Sequence, residues 1–246
     1  MESQSIRFAT APDGVRLAWT VTGAGPPLVR AATWLTHLEY DWESPAWRHW
    51  LAFFSGHFRT IRYDERGNGL SQHDARDLSP ACWETDLATV IGAARPETPF
   101  TLIGISQGAA PAIAYAARHP ENVERLIIYG GYTRGWKTRN DPELEKRWQA
   151  IIDLTEIGWG KPDPTFRRLY TAQFLPEGSE AQRSWMDDLC RRTTSPANAA
   201  ELMRSRGQVD VSDALTRVQV PTLVVHAKND EVVGFGEGLK IASGIP

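Results

Sequence analysis

Gly104-Ile105-Ser106-Gln107-Gly108 has the spacing G-x-S-x-G. That spacing suits a serine nucleophile held on a sharp strand-to-helix turn, which lifts the hydroxyl out of a sheet. The flanking glycines let backbone pass close by. The N-terminus of a following helix brings N–H groups and a positive dipole end beside the hydroxyl. So short a string also arises by chance, and its setting decides its weight. Residues 101–103 read as an apolar strand and residues 109–118 as an alanine-rich helix, the order this chemistry requires. The alternative is an ordinary glycine-rich βα turn whose serine caps the helix.

The elements that must hold this turn run through the whole chain. Residues 6–10 alternate apolar and polar, Pro12-Asp13-Gly14 is turn-forming, and residues 15–21 alternate again, which predicts an opening hairpin. Leu28-Val29 leads a third strand. Residues 45–54 read as a helix with Ser44 as N-cap and Pro45 in the first position. A strand over 60–63, a helix over 80–94 and a strand over 125–129 complete this half. Strands alternating with helices predict a parallel α/β sheet. From about 133 to 216 the pattern is helical instead, over 144–154, 165–174, 180–191 and 197–204. Pro221-Thr222-Leu223-Val224-Val225 resumes the strand pattern. The chain therefore divides into a first core part (1–132), a helical cap inserted between two strands (133–215) and a second core part (216–246).

The 246 residues can bury a large core without a disulfide or metal. A net charge of -3 weakens any case for a nucleic-acid partner. Cys82 and Cys190 fit no metal or redox spacing and suit a reducing cytoplasm. No apolar run approaches the ~18 residues of a membrane span, and the first residues lack the pattern of a signal peptide. The expectation is a cytoplasmic protein with no cofactor, no metal, no membrane and no nucleic acid.

Two further stretches join the serine turn. Tyr63-Asp64-Glu65-Arg66-Gly67-Asn68-Gly69-Leu70-Ser71 resembles a D-x-R-G-x-G-x-S segment after a fourth strand, and Val224-Val225-His226-Ala227-Lys228-Asn229-Asp230 resembles a strand and turn that present a catalytic acid. Together the three resemble the α/β-hydrolase fold family over nearly the whole chain. The stretch from Ala32 through Trp34-Leu35-Thr36-His37 and Trp42 to Pro45 is similar to a bacterial subgroup of hydrolase-like modules joined to class III nucleotide cyclases or helix-turn-helix regulators.

The resemblance assigns roles. Ser106 would be the nucleophile and Asp230 the acid that orients a base, with Glu231 as fallback. The backbone N–H of Gln107 would be one oxyanion donor, and Trp34 or Leu35 the other. Ala32-Thr33 stand where many members have His-Gly, which leaves backbone donors in place but alters the loop. The family's histidine follows the acid by ~25–30 residues. Here 16 residues follow Asp230 and none is histidine, so the chain is expected to be truncated before a last strand, a last helix and the triad histidine. Of the six histidines, His37 is the best substitute base, since it follows a strand end on the rim of the elbow. Asp64 and Arg66 are expected to brace their loop, and Arg167-Arg168 and Arg191-Arg192 to lie on solvated helix faces.

Trp34, Trp42, Trp47 and Trp50 are expected to pack around the first crossover. A sharper reading lines an apolar pocket with Leu35, His37, Trp34, Trp42, Trp136 and Trp159. Two functions follow. One is a serine hydrolase of small apolar carboxylic esters. Epoxide hydrolases and haloalkane dehalogenases are disfavoured because those relatives use aspartate where Ser106 stands. The other is a ligand-binding or sensory module without turnover. The partner is a small-molecule ester or apolar ligand. An apolar edge at Leu223-Val224-Val225 would also favour a homodimer.

Overall fold

The computed structural model describes residues 4–246. Seven strands form one sheet: β1 (Arg7–Thr10), β2 (Arg16–Thr22), β3 (Pro27–Arg30), β4 (Arg59–Tyr63), β5 (Phe100–Ile105), β6 (Val123–Tyr129) and β7 (Thr222–Val225). Their order is β1-β2-β4-β3-β5-β6-β7. β2 runs antiparallel to β1 and β4, and the pairs from β4 to β7 are all parallel. The helices α1 (Arg48–His57), α2 (Pro80–Ala94), α3 (Ala109–Arg118) and α8 (Phe235–Gly244) accompany the sheet. This is the α/β-hydrolase architecture.

β5 lies between β3 and β6 and is buried along its length until Ile105. A strand covered on both faces reads as a near-continuous apolar run, which Phe100, Leu102, Ile103 and Ile105 supply around Thr101 and Gly104. Leu17, Val29, Ile61, Leu102, Ile113 and Leu126 form the centre of the core beneath it. β7 is the outermost strand on its side, with Leu223 56% and Val225 39% exposed. Among the described residues no helix is long and apolar enough to cross a membrane.

Between β6 and β7 the chain forms α4 (Pro142–Gly158), α5 (Thr165–Thr171), α6 (Glu180–Thr193) and α7 (Pro196–Gly207). The two ends of this insertion are tied together. Gly135 N–H donates to Val209 O at 2.7 Å and Val211 N–H to Thr133 O at 2.9 Å. Side-chain caps start three of the helices: Asp141 on α4, Ser179 in a capping box on α6 and Ser195 on α7.

Local signals are overridden at two places. The first helix begins at Arg48 rather than Pro45. Ser44 Oγ does accept from Ala46 and Trp47 N–H, but Trp47 leaves helical geometry at φ -134 and packs edge-on against Trp185 of α6, ring centroids 5.0 Å apart. Arg167 does not lie on a solvated face. It is 2% exposed, and its Nη1 donates to Trp159 O at 2.9 Å and Lys161 O at 2.6 Å. The guanidinium thus satisfies carbonyls at the end of α4 that the helix itself cannot bond. Arg168, Arg191 and Arg192 are exposed.

Candidate active site

Ser106 begins a single 3-10 turn between β5 and α3 and sits at φ +52. A non-glycine residue there costs of order 1–3 kcal/mol and persists only where the surroundings over-determine it. They do so here. A Cβ on residue 104 would stand 2.6 Å from Gly108 O, and one on residue 108 would stand 2.7 Å from Ala32 O. The two glycines of the motif are therefore steric requirements of the turn.

The serine faces a divided cavity. The larger chamber holds about 300 Å³ and is walled by Trp47, Trp50, Phe54, Ile105, Tyr129 and Met186, with Leu35 beside them. The smaller holds about 70 Å³ and is walled by Gln107, Tyr132, Trp136, Arg139, Arg206 and Val233. Ser106, Trp34 and Phe174 border both. The hydroxyl thus stands where the two chambers meet, the smaller adding Gln107, Arg139 and Arg206 to apolar walls that include Leu144 and Trp148.

Each expected site residue has a definite place. Trp34 and Leu35 border the cavity, and their backbone N–H groups have no hydrogen-bond acceptor among the described residues. Leu35 is held at φ +56. Gln107 follows the serine at the start of the turn, where geometry leaves N–H groups free. Asp230 Oδ1 accepts from Val232 N–H at 2.9 Å and Val233 N–H at 2.8 Å. Its Oδ2 is 3.6 Å from where a Cβ on Gly130 would lie, and a Cβ on the next residue, Gly131, would lie 3.6 Å from Ser106 O. Adjacent glycines after β6 thus bring the aspartate turn alongside the serine turn. Glu231 is exposed.

Three of the expected pocket residues stand elsewhere. His37 is not among the lining residues, and its Nδ1 accepts Tyr40 N–H at 3.2 Å. Trp42 turns toward the N-terminal segment, donating to Gln4 at 2.9 Å under the Arg62 guanidinium. Trp159 is fully buried behind the wall. Its ring lies 5.7 Å from Trp34, and Nε1 donates to Cys190 O and Thr194 O. His226 is taken up by Val233 O, bonded to Nε2 at 2.7 Å. Among the described residues no histidine lines either chamber.

Sequence reasoning missed Trp47, Trp50, Leu51 and Phe54 as lining. Their spacing of i, i+3, i+4, i+7 marks one face of a helix, but not whether that face meets core or cavity. Arg206 carried no local signal at all, because only the docking of α7 brings it to the elbow.

Beneath the site, successive residues after β4 point into separate polar clusters. Asp64 accepts from Thr36 Oγ1, Leu38 N–H and Leu70 N–H at 2.8, 3.1 and 2.9 Å. Arg66 forks onto Asp86 at 2.6 and 2.7 Å and reaches Asp13 at 2.7 Å. Burial works against its charge, yet these bonds drive its pKa further above the usual arginine range. Glu65, 3% exposed, accepts from Asn68 at 3.0 Å and from Gln107 Nε2. Gln107 Oε1 in turn accepts from Arg206 Nε. Burial pushes the Glu65 carboxyl above its ordinary value, with the Arg206 charge opposing.

Residues 50–245 match the family described as serine aminopeptidase, S33. The chain belongs to that family. Within the α/β-hydrolases it is 24% identical over 222 residues to pyrrolizixenacetamide deacetylase of Xenorhabdus hominickii, covering 89% of this chain and 79% of that one. It is 28% identical over 189 residues to the hydrolase-superfamily protein YisY of Bacillus subtilis, covering 76% and 70%. An esterase from Exiguobacterium antarcticum shares its fold with a TM-score of 0.80 at 24% identity, over 97% of this chain and 87% of that one. A bromoperoxidase from Bacillus anthracis does so at 0.81 and 19%, over 98% and 88%. The two solved structures share the fold described above.

Proposed function

We propose that this S33-family protein is a serine hydrolase of small, largely apolar carboxylic esters, with Ser106 as nucleophile. The observation that carries the reading is the strained turn at Ser106, half-buried and opening on an apolar cavity. Ser106 Oγ attacks the acyl carbon. The oxyanion is received by the N–H of Gln107 and an N–H from the loop after β3, at Trp34 or Leu35. One such donor supports ~2.7–4 kcal/mol of barrier lowering. Collapse expels the alcohol, and water then cleaves the acyl-enzyme. Asp230 suits the role of acid because backbone N–H groups hold one oxygen, which leaves the other for a base. The relatives that hydrolyse esters or amides favour this class of reaction.

A second reading has its own support. No histidine among the described residues lines the cavity, and an unassisted serine hydroxyl is a weak nucleophile. A binding or sensory module would need the pocket but not the base. A fluorophosphonate probe separates the two, because labelling requires an activated serine. Labelling of Ser106 in the native chain, lost in Ser106→Ala, supports hydrolysis. A native protein that binds apolar esters yet resists the probe supports binding alone.

A further inference from the structure

The two chambers that meet at Ser106 both have largely apolar walls, but the smaller also carries two arginines and two tyrosine hydroxyls. Arg206 commits Nε to Gln107 and has Nη2 3.6 Å from Glu65 Oε2, while its Nη1 has no acceptor among the described residues. Arg139 commits Nε to Arg134 O at 2.8 Å and holds Nη2 3.9 Å from Glu237, again with Nη1 free. Tyr170 Oη accepts from Trp34 Nε1 at 2.7 Å, so its own proton is available to donate. Tyr132 Oη has no partner among the described residues. The side-chain acceptor nearest to hand, Gln107 Oε1, is already taken by Arg206.

We propose that this chamber is a carboxylate subsite, so that the favoured substrate is a short dicarboxylic half-ester whose free carboxylate meets Arg206 and Arg139 while its apolar alcohol part fills the larger chamber. The proposal rests on the hydrolase reading of Ser106. Closed sites seldom leave donors unpaired, and a carboxylate brings two oxygens with about four lone-pair sites. Arg206 is pre-oriented for it. The guanidinium lies 3.8 Å over the Trp34 ring and is 8% exposed, so little freedom remains to be lost on binding. The volume also selects. The chamber holds about 70 Å³ against about 300 Å³ for the larger one, which favours a compact carboxylate arm over a long chain. Burial drives the Tyr132 phenol up to about 12, which keeps it a donor. The larger chamber has one cation of its own, Arg30, set against the carboxylates of Asp41 and Asp64 and surrounded by aromatic walls.

The test compares N-(2-naphthyl)malonamic acid with N-(2-naphthyl)propionamide, which differ by a carboxylate in place of a methyl. Titration calorimetry on Ser106→Ala protein prevents turnover. The expected result is tighter binding of the acid by roughly tenfold, the scale of a charge-assisted pair. Arg206→Met and, separately, Arg139→Gln should each reduce that preference to near unity. Arg139 is the more exposed of the two, so its variant answers the question if Arg206→Met unfolds. Equal affinity for the two compounds, or a preference surviving both substitutions, overturns the proposal. So does a preference lost only in Arg30→Met, which would move the carboxylate to the larger chamber. Phosphonate labelling of the wild-type protein is read separately. Labelling without the preference removes the subsite alone, and the preference without labelling keeps the subsite on a protein that binds and does not hydrolyse.

Discussion

The sheet side of the cavity and the side formed by the helical insertion, the cap side of the proposal, are built by different means. On the sheet side, backbone sterics and closed polar clusters fix each group. The Ser106 turn is wedged by Gly104 and Gly108, and Asp64 and Arg66 have their bonding capacity filled. On the cap side, rings pack on rings. Trp34 lies on Trp159, Trp159 on Tyr170 at 5.5 Å, and Trp136 on Trp148 at 6.4 Å. Arg206 links cap to elbow through its hydrogen bond to Gln107. The sheet side holds its groups by hydrogen bonds and backbone sterics, whereas the cap side holds its rings by contact area and edge or offset stacking. On the proposed hydrolase reading, the sheet side would set whether Ser106 reacts and the cap side what reaches it.

The largest expected effect falls on the reacting atom. Ser106→Ala should abolish phosphonate labelling and lower any ester turnover by about 10⁴ or more, with the urea midpoint little changed. Labelling that persists in this variant would place the nucleophile elsewhere and dissolve the comparison. Trp159→Ala tests the cap side. Removing a fully buried indole should cost about 3–5 kcal/mol in urea unfolding. The rate of phosphonate labelling in the folded fraction should change by less than about threefold, since the ring stands behind the wall. A labelling rate that collapses along with stability would show that the cap holds the elbow.

Gly108→Ala is the matching break on the sheet side. The added carbon would meet Ala32 O at 2.7 Å, and backbone has little room to yield. The expected cost is about 3 kcal/mol. Here labelling should fall together with stability, because the loop after β3 carries the proposed oxyanion donors. A variant that loses stability but labels normally would free the serine turn from that loop.

How much of this was legible in the sequence follows the same division. β5, the elbow and α3 were readable because local signals coincide with tertiary demands: an apolar run for a buried strand, glycines where backbone crosses backbone, alanines where a helix packs closely. The turn that carries Asp230 was readable because the strand and turn are continuous in sequence. The cap helices could be located by period, yet not their docking, so Trp159 was expected in the pocket and stands behind it. Trp42 and His37 misled for a related reason. They lie near Trp34 in sequence, but the 3-10 turn from Tyr40 to Glu43 carries the chain away toward Gln4 and Arg62. Arg167 looked like a surface cation. Nothing short of the end of α4 reveals the carbonyls it satisfies.

The two sides meet at Glu65, where the smallest expected effect is also the most pointed. This carboxyl is buried under the elbow, and burial raises its pKa above the ordinary 4.5 against the pull of Arg206 and Gln107. The native state therefore holds the proton more tightly than the unfolded chain does. That contribution to stability is fully present below the unfolded value and is lost as pH rises through the native one. Glu65→Gln keeps the shape and removes the titration. The advantage of the wild type over this variant should shrink between pH 4 and pH 8, by about 1.4 kcal/mol for every tenfold by which the native state outbinds the unfolded chain for that proton. Urea midpoints of both proteins at the two pH values measure it. An advantage that grows with pH would mean that Arg206 outweighs burial and holds Glu65 ionised. The cap would then grip the elbow by a full ion pair, and the roof of the site would be as rigidly specified as its floor.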